Sequence, residues 1–169
     1  MLKKVAIMAG LLSMAIGFLL VTFSDRTFAV KNDLTIDRPA MEIWPVLTDV
    51  EKWPAWWPGV REARLTPGWR KGATLDLVLK GRPEKDPATV ETVLPAREMT
   101  WERPGILGSV TRTSVVLEAA PDGTRISLKS FIKGPQAFLA GFTGKEEFAR
   151  YHEAVLVALK ARLQQMEKS

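Results

Sequence analysis

The sequence predicts an α+β protein. Its core is a strongly curved antiparallel sheet of about seven strands wrapped on one long C-terminal helix. Two short helices follow the first strand, and one transmembrane helix precedes it. Three observations carry this. Residues 60 to 134 hold six segments in which apolar and polar residues alternate between turn signals. From Phe148 to Met166 apolar residues recur at helical spacing. Residues 5 to 23 hold no charge at all.

Composition narrows what this fold can do. The 169 residues suffice for one domain plus an appendage. With 46% hydrophobic and 25% charged residues, a packed core is expected. No Cys is present, which excludes disulfides, thiolate metal sites and a Cys nucleophile. The single His, His152, excludes multi-His metal centres and leaves only one route for a Ser-His-Asp triad. The formal net charge is +5, of which Lys3 and Lys4 belong to the N-terminal segment, leaving about +3 for the rest. Lys and Arg are scattered among acids, as in REARL and GKEEFAR, so the basic balance is a solvated surface and nucleic acid is not the expected partner.

The first element is VAIMAGLLSMAIGFLLVTF, residues 5 to 23. As a helix it would extend roughly 29 Å, about one bilayer core. A cleaved signal peptide has a shorter apolar core of about 7–15 residues. The best cleavage site here, Thr27-Phe28-Ala29, follows a charged Asp25-Arg26 pair. Residues 1–27 are therefore expected to be an uncleaved signal anchor, with secretion after cleavage near Ala29 as the alternative. Lys3 and Lys4 precede the span, so the N-terminus is expected in the cytoplasm and residues 28–169 outside it, in the periplasm of a Gram-negative cell.

The second element is a half-buried strand, because Phe28, Val30, Leu34 and Ile36 alternate with polar residues and only Asn32 breaks the inward set. DRPAMEIWPVL then changes period. Pro39 suits a first helical turn, and Met41, Trp44 and Leu47 share one face. Pro45 makes this helix short or kinked. Thr48-Asp49-Val50-Glu51 has the form of a capping box opening a second short helix, which Pro54 interrupts and Pro58-Gly59 ends. The meander comprises VREARLTPG, TLDLVLKG, ATVETVLP, REMTWERPG, SVTRTSVVLEAAP and TRISLKSFIKG, with Gly81 to Pro87 a polar loop and Pro121-Asp122-Gly123 a hairpin turn. In the last helix, Phe148, His152, Val155, Leu159, Leu163 and Met166 form an apolar stripe that must lie on the sheet. Lys160, Arg162 and Lys168 load its C-terminal end, where the helix dipole favours cations. A curved sheet gripping such a helix leaves a cavity between them.

The stretch TIDRPAMEIWPVLTDVEKWPAWWPGV resembles the opening of SRPBCC proteins, the START-like helix-grip superfamily that includes polyketide cyclase/dehydrase-like members. The matching residues are Ile36, Pro39, Trp44, Asp49 and Trp53-Pro54-Ala55-Trp56-Trp57-Pro58. The closing helix with LVALKARLQ is similar too, and the resemblance spans roughly residues 28 to 166. It implies a helix-grip fold with an apolar cavity. It implies no single activity, because this fold hosts lipid carriers, hormone receptors and cyclases.

On that implication Trp44, Trp53, Trp56 and Trp57 form a plug that closes one end of the cavity, and their first role is packing. Adjacent Trp56 and Trp57 are not expected both to point inward, and one should lie near the surface. Leu75, Leu77, Leu79, Trp101 and Phe142 are the expected cavity lining, although any sheet core needs the same alternation. Trp69, near a turn, is a lid or surface residue. His152 sits on the apolar stripe, where a satisfied core His is the default. His152, its neighbour Tyr151 and Arg112 are the only acid–base candidates, and Arg112 and Ser114 share a strand face whose default is outward. Glu91 and Glu102 are isolated strand carboxylates. No metal cluster, cofactor motif, phosphate loop or nucleophile elbow appears.

The expected function is a membrane-tethered binding module for a hydrophobic small molecule or lipid. One alternative is a polyketide cyclase/dehydrase-like enzyme working in the same cavity. Another is an envelope domain that binds a protein partner. A His152 facing an accessible pocket beside Tyr151 or Arg112 would favour the enzyme, and a filled cavity with a large exposed apolar patch would favour the partner.

Overall fold

The computed structural model describes residues 2–23, 25–81 and 84–167; the side chains of residues 2–4, 19–20, 23 and 142–143 lie outside what it describes. The expected contributions of Lys3, Lys4, Phe142 and Lys168 therefore fall outside the described side chains.

Seven strands form one antiparallel sheet: β1 (Thr27–Ile36), β2 (Val60–Thr66), β3 (Thr74–Leu79), β4 (Lys85–Leu94), β5 (Glu98–Pro104), β6 (Val110–Ala120) and β7 (Gly123–Lys133). Their order across the sheet is β1-β7-β6-β5-β4-β3-β2, a meander whose last strand pairs with the first. The helices are α1 (Leu2–Phe23), α2 (Ala40–Thr48), α3 (Trp53–Trp56), α4 (Pro135–Thr143) and α5 (Lys145–Met166). The α5 stripe buries His152, Val155, Leu156, Leu159 and Leu163. It lies against β1 and β7, with α2 and α3 along its side. This is the helix-grip arrangement.

The sheet has two ends. Thr27 pairs with Lys133, Lys133 with Val110, and Val110 with Pro104. The start of β1, the end of β7 and the β5–β6 connection thus share one end, where α5 also begins. The far end holds Ile36, the β6–β7 turn and, at the tail of α5, Glu167, which is paired with Arg38. The turn is a two-residue hairpin, Pro121-Asp122, closed by the Ala120–Gly123 pair. Gly123 has φ +122°, and a Cβ there would collide with the Ile36 carbonyl oxygen, so glycine is required.

Several local expectations differ from the structure. The face of α2 that is buried is Ile43, Val46 and Leu47, while Met41 is 71% exposed and Trp44 half-buried. The capping box does not form, since Asp49 makes no side-chain cap and the Thr48 hydroxyl turns back to the Trp44 carbonyl at 2.9 Å. Pro54 opens α3 rather than interrupting a helix, because the first turn needs no N–H from it. The Gly81–Pro87 loop is shorter than expected. Pro87 lies in β4, opposite Asp76 of β3, beyond the β5 ladder that begins at Thr89, so its missing N–H breaks no bond to β5. The α4 helix, PQAFLAGFT, has no strong periodic signal in the sequence, and Gly134 and Gly144 bound it.

A helix occupies the segment expected to cross a membrane. Among the described residues, no helix is long and apolar enough to cross a membrane, the side chains near both ends of α1 being outside that set. From Val5 to Val21 the described large apolar side chains of α1 are 48% to 75% exposed, so the domain does not cover them.

Candidate functional site

Trp53 is the fixed point of the aromatic cluster. It is fully buried, and its indole N–H donates to the Leu47 carbonyl at 2.9 Å. Its ring lies 4.4 Å from Trp57, 5.8 Å from Trp101 and 6.3 Å from Trp69, centroid to centroid. Trp56 and Trp57 are both buried, at 8% and 4% exposure, against the expectation that one would face outward. The helix ends between them. Trp57 leaves α3 in extended backbone, so its side chain swings toward the sheet while Trp56 lines a separate pocket with Val46 and Met166. Trp69 is half-buried, and its N–H donates to the Thr48 carbonyl at 2.8 Å.

Between this cluster, the sheet and α5 lies a cavity of about 150 Å³. Trp53, Trp57, Val60, Leu77, Leu79, Ala88, Trp101, Leu128 and Phe148 give it an apolar wall. Arg103, Thr111, Thr113, Ser130, Tyr151 and His152 give it polar groups. Of the expected lining, Leu77, Leu79, Trp101 and His152 stand there. Leu75 is fully buried in the core and does not reach the cavity.

The polar groups follow from strand parity. Arg103 lies two residues past Trp101 on the inner face of β5, and Ser130 two past Leu128 on β7. Thr111 and Thr113 share the inner face of β6 with Val115 and Leu117. The same parity turns Arg112 away from the cavity. It is exposed and bound to Glu102 at 2.5 Å, which corrects its place among the acid–base candidates and also shows Glu102 to be paired. Ser114 accepts a bond from Thr100 at 2.8 Å. Arg103, Thr111, Thr113 and Ser130 were not picked out from the sequence, although their two-residue spacing from buried apolar neighbours was the available signal.

Two groups can act on a ligand. His152 is 1% exposed, and its Nε2 lies 2.8 Å from the Ser130 hydroxyl. Its Nδ1 is buried without a partner. The hydroxyl can donate or accept, so Nδ1 is either an acceptor or a donor for a ligand. The Tyr151 hydroxyl accepts from Trp57 Nε1 at 2.9 Å, which leaves its own proton free to donate. Although the Tyr151 side chain is 40% exposed overall, desolvation within the cavity wall raises its pKa, against the lowering effects of the Trp57 bond and the Arg103 charge, so the phenol stays protonated at neutral pH. At the rim Arg103 is held by Asp86 at 2.6 Å.

Burial also lowers the His152 pKa to about 4, so the imidazole is neutral at pH 7. Between pH 6.5 and 4 the unfolded chain takes up a proton that the folded chain refuses. Stability is therefore lost as the pH falls through this window, by up to about 3 kcal/mol. In His152→Gln the urea midpoint should decline less from pH 6.5 to 4 than it does in the wild type; equal declines would show that His152 does not carry this acid sensitivity.

A family model described as polyketide cyclase / dehydrase and lipid transport matches residues 27–164. None of the curated proteins compared matches the chain. Among solved structures, the di-domain ARO/CYC StfQ from the steffimycin biosynthetic pathway is similar with TM-score 0.68 and 12% identity, over 88% of this chain and 54% of that one. The di-domain ARO/CYC BexL from the BE-7585A biosynthetic pathway gives 0.63 and 18%, over 84% and 52%. The chain thus spans about half the length of these two. Protein NE0264 from Nitrosomonas europaea matches nearly end to end, with TM-score 0.62 and 19% identity over 85% of this chain and 97% of that one. At these identities the structures establish a shared fold.

Proposed function

The chain belongs to the polyketide cyclase/dehydrase and lipid transport family, and on that premise we propose that it is a membrane-tethered module holding a hydrophobic small molecule or lipid in the cavity under α5. One observation carries this reading: an apolar, aromatic-walled cavity into which a buried imidazole with an unpartnered nitrogen is set beside a phenol with a free proton. The cavity volume limits what enters. A space of about 150 Å³ holds one benzene-sized ring. The enclosed part of the ligand is then a single ring or a short stretch of acyl chain, and the remainder leads out past Arg103 and Tyr151. Burying a phenyl-sized group contributes about 2–3 kcal/mol, so a hydrogen bond worth about 1 kcal/mol decides orientation.

Calorimetric titration with paired single-ring ligands, each with and without a hydrogen-bond acceptor, tests this. The acceptor-bearing partner should bind about fivefold tighter, and Tyr151→Phe should abolish that difference while leaving the plain ring's affinity. No heat from any ligand would count against the reading.

The tether is part of the proposal. It is supported by the uncharged run from 5 to 23 and by the uncovered apolar side chains of α1. Residues 1–27 would be the anchor and 28–169 the domain, with the N-terminus cytoplasmic and the domain outside. Cleavage near Ala29 fits less well, since Thr27, Phe28 and Ala29 pair with Lys133, Ile132 and Phe131, and Phe28 is in the core.

A second reading, a cyclase/dehydrase-like enzyme, is favoured by one observation: His152 and Tyr151 both line the cavity, with ring centroids 6.4 Å apart. A neutral imidazole is able to take a proton and the phenol to give one. Turnover of a bound ketone that disappears in both Tyr151→Phe and His152→Gln would establish it. The partner-binding reading has less support, because it requires a filled cavity.

A further inference from the structure

The end of the sheet nearest the cavity carries apolar side chains that the domain leaves exposed. Ile106 and Leu107, at the tip of the β5–β6 connection, are 60% and 63% exposed, and Leu139 on α4 is 58% exposed. The α4 helix packs against that connection and touches α1. Leu107 stands in the left-handed region at φ 54°, ψ 35°, followed by Gly108 at φ 74°. A leucine there costs about 1 kcal/mol or more of backbone strain, and here the strain holds an apolar side chain out in water. Neither cost is returned by packing within the domain.

The place of this patch identifies what covers it. The start of β1 is tied to the end of β7 and through it to β6, so the exit of α1 and the β5–β6 connection lie at one end. Arg103 and Thr111, which line the cavity, are on the strands entering and leaving that connection. We propose that Ile106, Leu107 and Leu139 rest in the headgroup–acyl boundary of a lipid bilayer, setting the cavity mouth against the membrane surface. This rests on the tether reading, in which α1 brings the bilayer to this end of the sheet. An apolar side chain in that boundary lies about 5–10 Å deep.

Because the chain has no Cys, single substitutions carry a fluorophore cleanly. Leu107→Cys, Leu139→Cys and, at the far end, the exposed Asp122→Cys are each labelled in the full chain and reconstituted in phosphatidylcholine/phosphatidylglycerol vesicles containing acyl-chain-brominated lipid. Labels at 107 and 139 should be quenched at least about threefold more than the label at 122. If the chain floats with the vesicles but all three labels are quenched equally, the tether stands and the docking surface is overturned. If the chain does not float, both fall. If label 107 is shielded without bromine quenching and Leu107→Cys cross-links to a second chain, a second copy covers the patch and the proposal is overturned.

Discussion

Trp53→Ala will lower the stability of the domain by about 4 kcal/mol, the largest loss expected from any single truncation in the plug. Three terms add. The indole is fully buried, so its apolar transfer energy is lost whole. Trp57, Trp69 and Trp101 each lose a ring neighbour within 6.5 Å, a contact worth about 0.5–1.5 kcal/mol beyond burial. The Leu47 carbonyl, at the C-terminal end of α2, loses its 2.9 Å donor. Trp53→Phe keeps part of the ring contact and should lose about half as much. Urea denaturation followed by circular dichroism measures both. Equal and small losses would mean that the cluster packs loosely and the cavity has no rigid wall on this side.

Ala88→Leu will lower ligand affinity at least about thirtyfold, or about 2 kcal/mol, while leaving the midpoint of unfolding nearly unchanged. Ala88 is 2% exposed, on the inner face of β4, and lines the cavity. Added methylenes in a filled core cost about 1–3 kcal/mol. Here they enter empty space beside Leu77 and Trp101, so packing gains offset the strain. The two readouts separate the effects, since a variant that loses both stability and binding has damaged the fold. Retained affinity would move the ligand to another part of the molecule.

The fold was legible because its signals were periodic and its alternatives few. Strand alternation from Val60 to Lys133, the helical stripe of α5 and the proline-tryptophan stretch lead to one arrangement of sheet and helix. The cavity's polar side was less legible. Arg103, Thr113 and Ser130 are inward-facing polar residues on strands whose other inward residues are apolar, and sequence alone treats such positions as imperfections of the pattern. Whether they meet depends on the sheet's curvature, which brings β5, β6 and β7 over the start of α5. His152 and Tyr151 were visible as neighbours, but the bond that frees the Tyr151 proton comes from Trp57, 94 positions earlier in the chain. The misplaced face of α2 has a simpler origin. Met41 and Trp44 are spaced as well as Ile43 and Val46, and only the position of the sheet decides between the two stripes.

The most direct test of the central claim is native mass spectrometry, with lipid extraction, of the full chain purified from its source cells in mild detergent. A tethered binding module predicts one defined small-molecule or lipid mass bound to the wild type and absent from Ala88→Leu, on a chain that retains residues 1–27. Bare protein in both, with no mass gained on incubation with a panel of lipids and single-ring compounds, would contradict it.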